Sequence, residues 1–178
     1  MFHRTTRLFL RPAWPEDWEA VFAGVADEQV VMNLSRVPWP YKPDHARWFV
    51  ERALDRCHPT LLITQADSGL VVGAASLVER DGGAEVGYWI GRPHWGQGYA
   101  TEAAQGLIEI ARLLGFQQLS GRHFVDNPAS GRVLRKVGFR PTGRVTTLHS
   151  VARGKGAPAL EYALELNGDA AEPQKQAA

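Results

Sequence analysis

The sequence has very little cysteine, almost no net charge and no long apolar run. Cys57 is the only cysteine among 178 residues, which excludes a disulfide framework and a four-cysteine zinc site. Twenty lysines and arginines against 19 acidic residues leave a formal net charge of +1, whereas a dedicated nucleic-acid-binding protein carries a strong basic excess. No segment approaches the roughly 20 uninterrupted apolar residues of a membrane-spanning helix. We therefore expect neither a nucleic-acid partner nor a membrane partner.

The composition is that of a globular domain, with 44% hydrophobic and 10% aromatic residues. A folded chain of this length buries about 70% of its unfolded surface, so its core needs no disulfide or metal. We predict one domain over residues 1–167 and a short polar tail over residues 168–178. The segment Met1–Arg11 contains several arginines and no apolar run of the signal-peptide type, so a cytoplasmic location is expected.

Periodicity predicts seven strands and four helices. Alternation of apolar and polar residues indicates strands, and apolar residues three and four positions apart indicate helices. The predicted strands are Thr6–Arg11, Thr60–Ala66, Leu70–Val78, Ala84–Ile90, Gln117–Val125, Phe139–Val151 and Pro158–Leu166. The predicted helices are Glu16–Ala26, Asp44–Cys57, Tyr99–Leu114 and Pro128–Val137. This order favours an α/β fold in which a mixed sheet carries helices on both faces.

The segment with the clearest chemical signal is the glycine turn Trp95–Thr101, between a predicted strand and the longest helix. The first turn of a helix exposes unpaired backbone N–H groups, and glycines let an anion approach them closely. A dinucleotide-binding fingerprint would need glycine or alanine in place of Thr101, and a P-loop would need Gly-Lys-Ser/Thr. By itself, the turn is compatible with an anion site or with a simple glycine-rich connection.

Four segments in chain order resemble the GNAT superfamily of acyl-CoA-dependent N-acetyltransferases. They are Thr6–Pro12, Glu85–Trp89, Trp95–Ala103 and Asn127–Phe139. The family signature Arg/Gln-x-x-Gly-x-Gly/Ala ends here in Gly98 and Ala100, with Trp95 at the Arg/Gln position. The resemblance runs from Thr6 to Leu166 and is to the branch that includes ribosomal-protein N-terminal alanine and serine acetyltransferases. It implies a mostly antiparallel sheet of about seven strands, splayed between the fourth and fifth strands.

The resemblance also implies acetyl-CoA as the co-substrate and no metal. The diphosphate would lie on the amides of the glycine turn, and the pantetheine arm would follow the preceding strand, where an amide near Ile90 could donate to the thioester oxygen. The implied binding residues are Tyr88, Trp89, Ile90, Trp95, Gly96, Gln97, Gly98, Tyr99, Ala100, Thr101, Asn127, Ser130 and Arg135. Several have alternative roles: the Tyr88 and Trp89 side chains could be ordinary strand packing, Asn127 is also a good helix cap, and Arg135 belongs to a basic cluster that could be a solvated helix face.

Acetyl transfer to an amine requires proton transfer at both the amine and the leaving thiolate. Only the neutral amine attacks, and the pKa is about 7.7–8.0 for an α-amine and about 10.4 for lysine. The resemblance points to Glu85 as the base, acting through water; the alternative is a strand-edge carboxylate without a catalytic role. Many members of the family place a tyrosine where this chain has Leu134. Ser130 is therefore the candidate that hydrogen-bonds the sulfur or relays a proton, unless its hydroxyl only bonds the backbone.

The predicted function is direct acetyl transfer from acetyl-CoA to a primary amine. No covalent enzyme intermediate is expected, because the sequence shows no activated nucleophile. The acceptor is either a protein N-terminal α-amine or a small amine such as an antibiotic, a polyamine or an amino acid. The alternative is a protein that binds CoA without turnover. It stays open because Trp95 replaces the usual Arg or Gln and Leu134 replaces the usual tyrosine. Monomer and homodimer are both compatible with the sequence.

Overall fold

The computed structural model describes residues 1–52, 60–80 and 82–166. Within these ranges, eight strands form one sheet and five α-helices pack on it. The strands are β1 (His3–Arg4), β2 (Leu8–Pro12), β3 (Thr60–Gln65), β4 (Val71–Arg80), β5 (Gly83–Ile90), β6 (Gln118–Phe124), β7 (Arg140–Ser150) and β8 (Lys155–Glu165). The helices are α1 (Trp18–Val25), α2 (Glu28–Val31), α3 (Pro43–Arg52), α4 (Tyr99–Leu113) and α5 (Pro128–Lys136). Cys57 and the predicted polar tail lie outside the described residues.

The sheet has two antiparallel parts joined by one parallel pair. Strands β1 to β5 form an antiparallel meander, β5 and β6 are parallel, and β6, β8 and β7 are again antiparallel. The parallel pair requires a crossover, which α4 provides. The predicted mixed, mostly antiparallel sheet is confirmed. The additional strand is β1, whose two residues are too few to show alternation in the sequence.

Helices cover both faces of the sheet because the strands direct alternate side chains into two cores. In β3, Leu61 and Ile63 pack with α4 in the larger core, whereas Leu62 packs with α1 and α3 in the other. A short 3₁₀ turn at Arg92–His94 links the end of β5 to the glycine turn that precedes α4. In the parts of the chain described here, no helix combines the length and apolar character needed to cross a membrane.

The first third of the chain differs from the prediction in two helical segments. The predicted helix Glu16–Ala26 is a 3₁₀ turn at Pro15–Asp17 followed by α1, and the Asp17 carboxylate accepts a hydrogen bond from the Trp14 amide. The sequence does not predict α2. Its four residues, capped by Asp27, are too few to display a helical period.

Strands β5 and β6 separate halfway along their length. Their pairing covers only Ala84 to Val86, opposite Leu119 to Gly121, whereas β5 stays paired with β4 as far as Ile90. The second half of β5 therefore has one unpaired edge that faces a gap in the sheet. This gap is the predicted splay between the fourth and fifth of the seven predicted strands, and the prediction is confirmed.

Candidate functional site

The glycine turn presents a row of backbone N–H groups. Gly96 and Gly98 have φ of 76° and 82°, a left-handed conformation that residues with a Cβ rarely adopt. Gly98 directly precedes α4, whose first turn has no helical acceptors for its N–H groups. From Gly96 to Thr101, no backbone N–H has an acceptor within the described ranges. Because these amides and the helix dipole act together, the turn suits an anion with several oxygen atoms.

The edge of β5 adds backbone groups next to this turn. The Gly91 amide donates to the Val72 carbonyl of β4 at 2.9 Å. Alternation along the strand then directs the backbone groups of Tyr88 and Ile90 the opposite way, into the gap. The Ile90 carbonyl accepts a hydrogen bond from the Trp95 indole N–H at 2.7 Å. The Ile90 amide and both backbone groups of Tyr88 thus face the gap.

The start of α5 brings a hydroxyl group to the other side of the gap. Asn127 caps the helix, and its Oδ1 accepts from the Ser130 amide at 3.4 Å. The Asn127 Nδ2 donates to Ser130 Oγ at 3.1 Å, so the hydroxyl hydrogen of Ser130 is left for another acceptor. Gly131 allows this close approach of α5 to β6, because a Cβ there would lie 2.5 Å from the His123 ring.

Tyr88 joins β5 to α5 across the gap. Its hydroxyl donates to the Ser130 carbonyl at 3.2 Å. Burial raises the pKa of the Tyr88 hydroxyl above its ordinary value of 10, so the group stays protonated at physiological pH. Leu134, at the position where the resemblance would place a tyrosine, is buried in the larger core. Tyr88 therefore provides a protonated hydroxyl beside Ser130, a role that the sequence does not indicate.

These elements line a cleft of about 370 Å³. The predicted binding residues on its walls are Tyr88, Trp89, Ile90, Trp95, Gly96, Gly98, Tyr99, Ala100, Thr101, Asn127 and Ser130. They come from the unpaired half of β5, the glycine turn, the start of α4 and the start of α5. The structure thus brings together residues that are up to 42 positions apart in the sequence, as in the contact of Tyr88 with Ser130.

Two predicted binding residues direct their side chains away from the cleft wall, although the Gln97 amide still belongs to the row of N–H groups in the glycine turn. The Gln97 side chain turns away from the cleft toward the Pro93 carbonyl. Arg135 donates to the Tyr162 hydroxyl at 2.9 Å and is not on the cleft wall. The wall instead carries Arg132 and Lys136, which are one helical turn apart on α5. Arg135 faces another way because each helical residue is rotated by about 100° from the one before it.

Glu85 lies in a second, smaller compartment of about 120 Å³ next to the cleft. Tyr88, Asn127 and Ser130 line both spaces. The Glu85 carboxylate forms ion pairs with two guanidinium groups. Arg122 donates to both carboxylate oxygens, the shorter contact being 2.9 Å, and Arg80 donates to Oε2 at 2.9 Å. Both oxygens of the predicted base are therefore already hydrogen-bonded.

A clamp formed by Arg153, in the β7–β8 turn, holds the segment after α2 beside the second compartment. Arg153 donates to the Met32 carbonyl through Nη2 at 2.7 Å and Nε at 2.9 Å, and to Asp126 through Nη1 at 2.7 Å. The Ser150 hydroxyl donates to the Leu34 carbonyl at 3.1 Å. No sequence signal predicts this Arg153 clamp, because Arg153 and Met32 are 121 positions apart.

The walls of the two spaces carry more positive than negative charge. Among the described residues that line them, Glu85 is the only carboxylate, and its partners are guanidinium groups. Within the described ranges there is also no group of three or more His, Cys, Asp or Glu side chains placed to hold a metal ion. The site therefore consists of backbone amides, hydroxyls and basic side chains.

Comparisons with known proteins agree with this architecture. Residues 7–140 match the acetyltransferase (GNAT) domain family. YoaA of Bacillus subtilis, an uncharacterized N-acetyltransferase, is 29% identical over 156 residues, covering 78% of this chain and 82% of YoaA. A GNAT-family acetyltransferase from Bacillus anthracis has a TM-score of 0.84 at 21% identity, over 94% of this chain and 100% of its own.

RimL, a ribosomal L7/L12 α-N-protein acetyltransferase solved in complex with coenzyme A, has a TM-score of 0.75 at 22% identity. The similarity covers 93% of this chain and 98% of the RimL chain. At this level of identity, the two solved structures show a common fold. Because the family match covers most of the sequence, the chain belongs to the GNAT family and is an N-acetyltransferase.

Proposed function

We propose that this chain transfers the acetyl group of acetyl-CoA directly to the α-amine of a peptide or protein. The observation that carries the proposal is the row of N–H groups from Gly96 to Thr101 beside the unpaired edge of β5. A diphosphate offers many oxygens to such a row, and an arm containing amide groups pairs with a strand edge as an added strand does. The coenzyme A complex of RimL supports the same ligand here.

The charge of the cleft wall suits acetyl-CoA. Arg132 and Lys136 on its wall suit phosphate groups. Its volume of about 370 Å³ is within the range of small-molecule sites. The backbone groups of Tyr88 that face the gap can bond an extended ligand. When bound, acetyl-CoA would supply a thioester from which the acetyl group is transferred.

Ser130 and Ile90 are the proposed hydrogen-bond donors at the gap. Because Asn127 donates to Ser130 Oγ, the Ser130 hydrogen is left free to donate to the departing sulfur. The Ile90 amide is proposed to donate to the acetyl oxygen as negative charge grows there. Tyr88 holds the Ser130 carbonyl and thereby the first turn of α5.

Glu85 is the proposed proton acceptor, acting through water from the second compartment. Because Arg122 and Arg80 already donate to both of its oxygens, a water molecule must share or displace one of these contacts. A base whose oxygens already accept hydrogen bonds from two arginines suits an amine that loses its proton readily. An α-amine, with a pKa of about 7.7–8.0, meets this condition better than lysine at about 10.4.

The charge of the second compartment supports a peptide terminus over a polycationic amine. Polyamines and aminoglycosides carry several positive charges, and their recognition needs unpaired carboxylates. Glu85, the one carboxylate among the described lining residues, is paired with two arginines. A peptide terminus brings a single amine on a narrow chain, which suits a space of about 120 Å³.

Release of free thiol from acetyl-CoA, measured with a panel of acceptors, tests this proposal. The panel contains peptides beginning with serine or alanine, the same peptides with blocked amino termini, free lysine and spermidine. We expect thiol release with the free peptides and none with the blocked ones. Release with spermidine alone would overturn the assigned acceptor. Binding of coenzyme A without release in the presence of any amine would overturn the transfer reaction and support a binding protein.

A further inference from the structure

Arg7 belongs to the Thr6–Pro12 segment, to which the proposed chemistry assigns no role, yet it contacts the glycine turn. Its Nη1 donates to the Gln97 carbonyl at 3.0 Å, and its Nε donates to Glu102 Oε2 at 2.8 Å. The Arg7 amide and the Thr5 hydroxyl each donate to Glu102 Oε1 at 2.6 Å. The chain before β2 is thus tied both to the turn and to the first turn of α4.

The contact with Gln97 affects the direction of the next N–H group. The peptide bond between Gln97 and Gly98 is trans, so its C=O and N–H point in opposite directions. Arg7 draws the Gln97 oxygen toward the start of β2, and the Gly98 N–H is therefore directed away from it. This N–H belongs to the row that has no acceptor within the described ranges. Arg7 thus orients a donor in the middle of the glycine turn.

Glu102 holds the Arg7 guanidinium in place and balances its charge. The Glu102 side chain is only 15% exposed. Burial raises its pKa, but the hydrogen bonds from Thr5 and from Arg7, together with the Arg7 charge, outweigh this effect and leave the pKa below its ordinary value of 4.5. Glu102 is therefore ionised at neutral pH. Because the pair is close to neutral, Arg7 adds little net attraction for phosphate groups.

From this geometry we propose that Arg7 is a positioning residue for acetyl-CoA, which sets the direction of the Gly98 N–H without itself binding the ligand. The inference rests on the proposed binding of the diphosphate at the glycine turn. The competing explanation is direct attraction between the Arg7 charge and the phosphates. The two explanations predict different results for conservative substitutions in the pair.

Two variants separate the explanations by calorimetric titration with coenzyme A. Arg7→Lys keeps the positive charge but loses the planar fork whose separate N–H groups reach Glu102 and the Gln97 carbonyl. Glu102→Gln keeps the side-chain size but releases the guanidinium from its ion pair. If Arg7 acts by positioning the Gly98 N–H, both variants bind coenzyme A more weakly, and the Kd for coenzyme A rises about tenfold in Arg7→Lys. Direct attraction predicts unchanged affinity in Arg7→Lys and tighter binding in Glu102→Gln, since a negative charge near the phosphates is removed.

Steady-state kinetics distinguish positioning from a loss of folded protein. Positioning raises KM for acetyl-CoA and leaves kcat and the acceptor KM close to wild type, whereas partial unfolding lowers kcat alone. Arg144→Gln, which removes an exposed ion pair with Glu161, is the control and should keep wild-type affinity. Unchanged affinity in Arg7→Lys and Glu102→Gln would overturn the positioning role only. Failure of the wild-type protein to bind coenzyme A would overturn the proposed function as well.

Discussion

The two halves of the proposed site, one for acetyl-CoA and one for the acceptor, are built in different ways. The donor half, which consists of the β5 edge, the glycine turn and the first turn of α4, lies within one stretch from Tyr88 to Thr101. Its functional groups are mostly backbone amides. The acceptor half consists of the second compartment and the Arg153 clamp. Its groups are side chains from distant strands and loops, such as Glu85, Arg122 and Arg153.

In the proposed function, this difference would let one fold keep a common co-substrate and vary its acceptor. Backbone N–H groups do not depend on side-chain identity, so the donor half tolerates Trp95 at a position where the family pattern has Arg or Gln. Trp95 even adds a bond of its own to the Ile90 carbonyl. Each contact of the acceptor half depends on a particular pair of side chains. Substitutions should therefore separate the two halves by their effects on coenzyme A and on the acceptor.

Gly98→Val should disrupt the donor half most severely. Valine does not readily adopt a φ of 82°, and a Cβ at this position would lie 3.4 Å from Arg7 Nη2. Because the turn must change its conformation, we expect the Kd for coenzyme A, measured by calorimetry, to rise about 100-fold. Gly69→Val is the matched control, since Gly69 has a φ of 73° with no atom within 4 Å of its Cβ position. Equal weakening in both variants would contradict the assignment of the turn.

Glu85→Gln should lower kcat/KM about 30-fold at pH 7, without a change in coenzyme A affinity. The loss should shrink above pH 8, because an α-amine with a pKa of about 7.7–8.0 is then largely neutral without help. A pH–rate profile of the variant measures this difference. Glu161→Gln, a carboxylate paired with Arg144 outside the second compartment, is the control. A pH–rate profile identical to that of the wild type would remove Glu85 from the mechanism.

Ser130→Ala should lower kcat about tenfold and leave the Kd of coenzyme A near wild type. The variant loses the hydroxyl that the Asn127 amide group orients, but the helix cap and the contact from Tyr88 use the Ser130 backbone and remain. Single-turnover kinetics compare the rate of the chemical step directly. If Ser130→Ala turns over at the wild-type rate, the hydroxyl has only a structural role.

Arg153→Gln should have the smallest effect, and only on the acceptor half. The variant loses the ion pair with Asp126 and most of the bonding to the Met32 carbonyl, so the segment after α2 loses its support. We expect the acceptor KM to rise about threefold, with an unchanged Kd for coenzyme A. Arg144→Gln again serves as a surface control. An equal rise in the KM values for both substrates would show that the two halves are not independent.

Much of the fold can be predicted from the sequence because most elements carry a clear local period. Leu61, Leu62 and Ile63 lie in a strand, and their burial in two different cores follows from alternation. The elements that the sequence does not predict, β1 and α2, have two and four residues. They exist because they pair with β2 or pack near α1, and such support comes from tertiary contacts.

The candidate site also has one part that the sequence predicts and another part that it does not. The glycine turn is visible in the sequence because positive φ requires glycine and a helix start exposes amides, whatever the rest of the chain does. In contrast, the basic cluster of α5 shows which residues are charged but not which of them face the cleft. Packing of α5 on β6 directs Arg135 to Tyr162 and leaves Arg132 and Lys136 on the cleft wall.

The sequence by itself determined the family, the order of most elements and the glycine turn that is proposed to bind a doubly phosphorylated ligand, because each depends on residues close together in the chain. Only the tertiary structure decided that Glu85 lies between two guanidinium groups, that Arg153 holds a segment 121 positions away, and that Arg7 supports the glycine turn. The physical reason is that two side chains interact only when they lie close together in space, whatever their separation in the sequence. That distance is set by how the helices pack on the sheet, which no local pattern encodes.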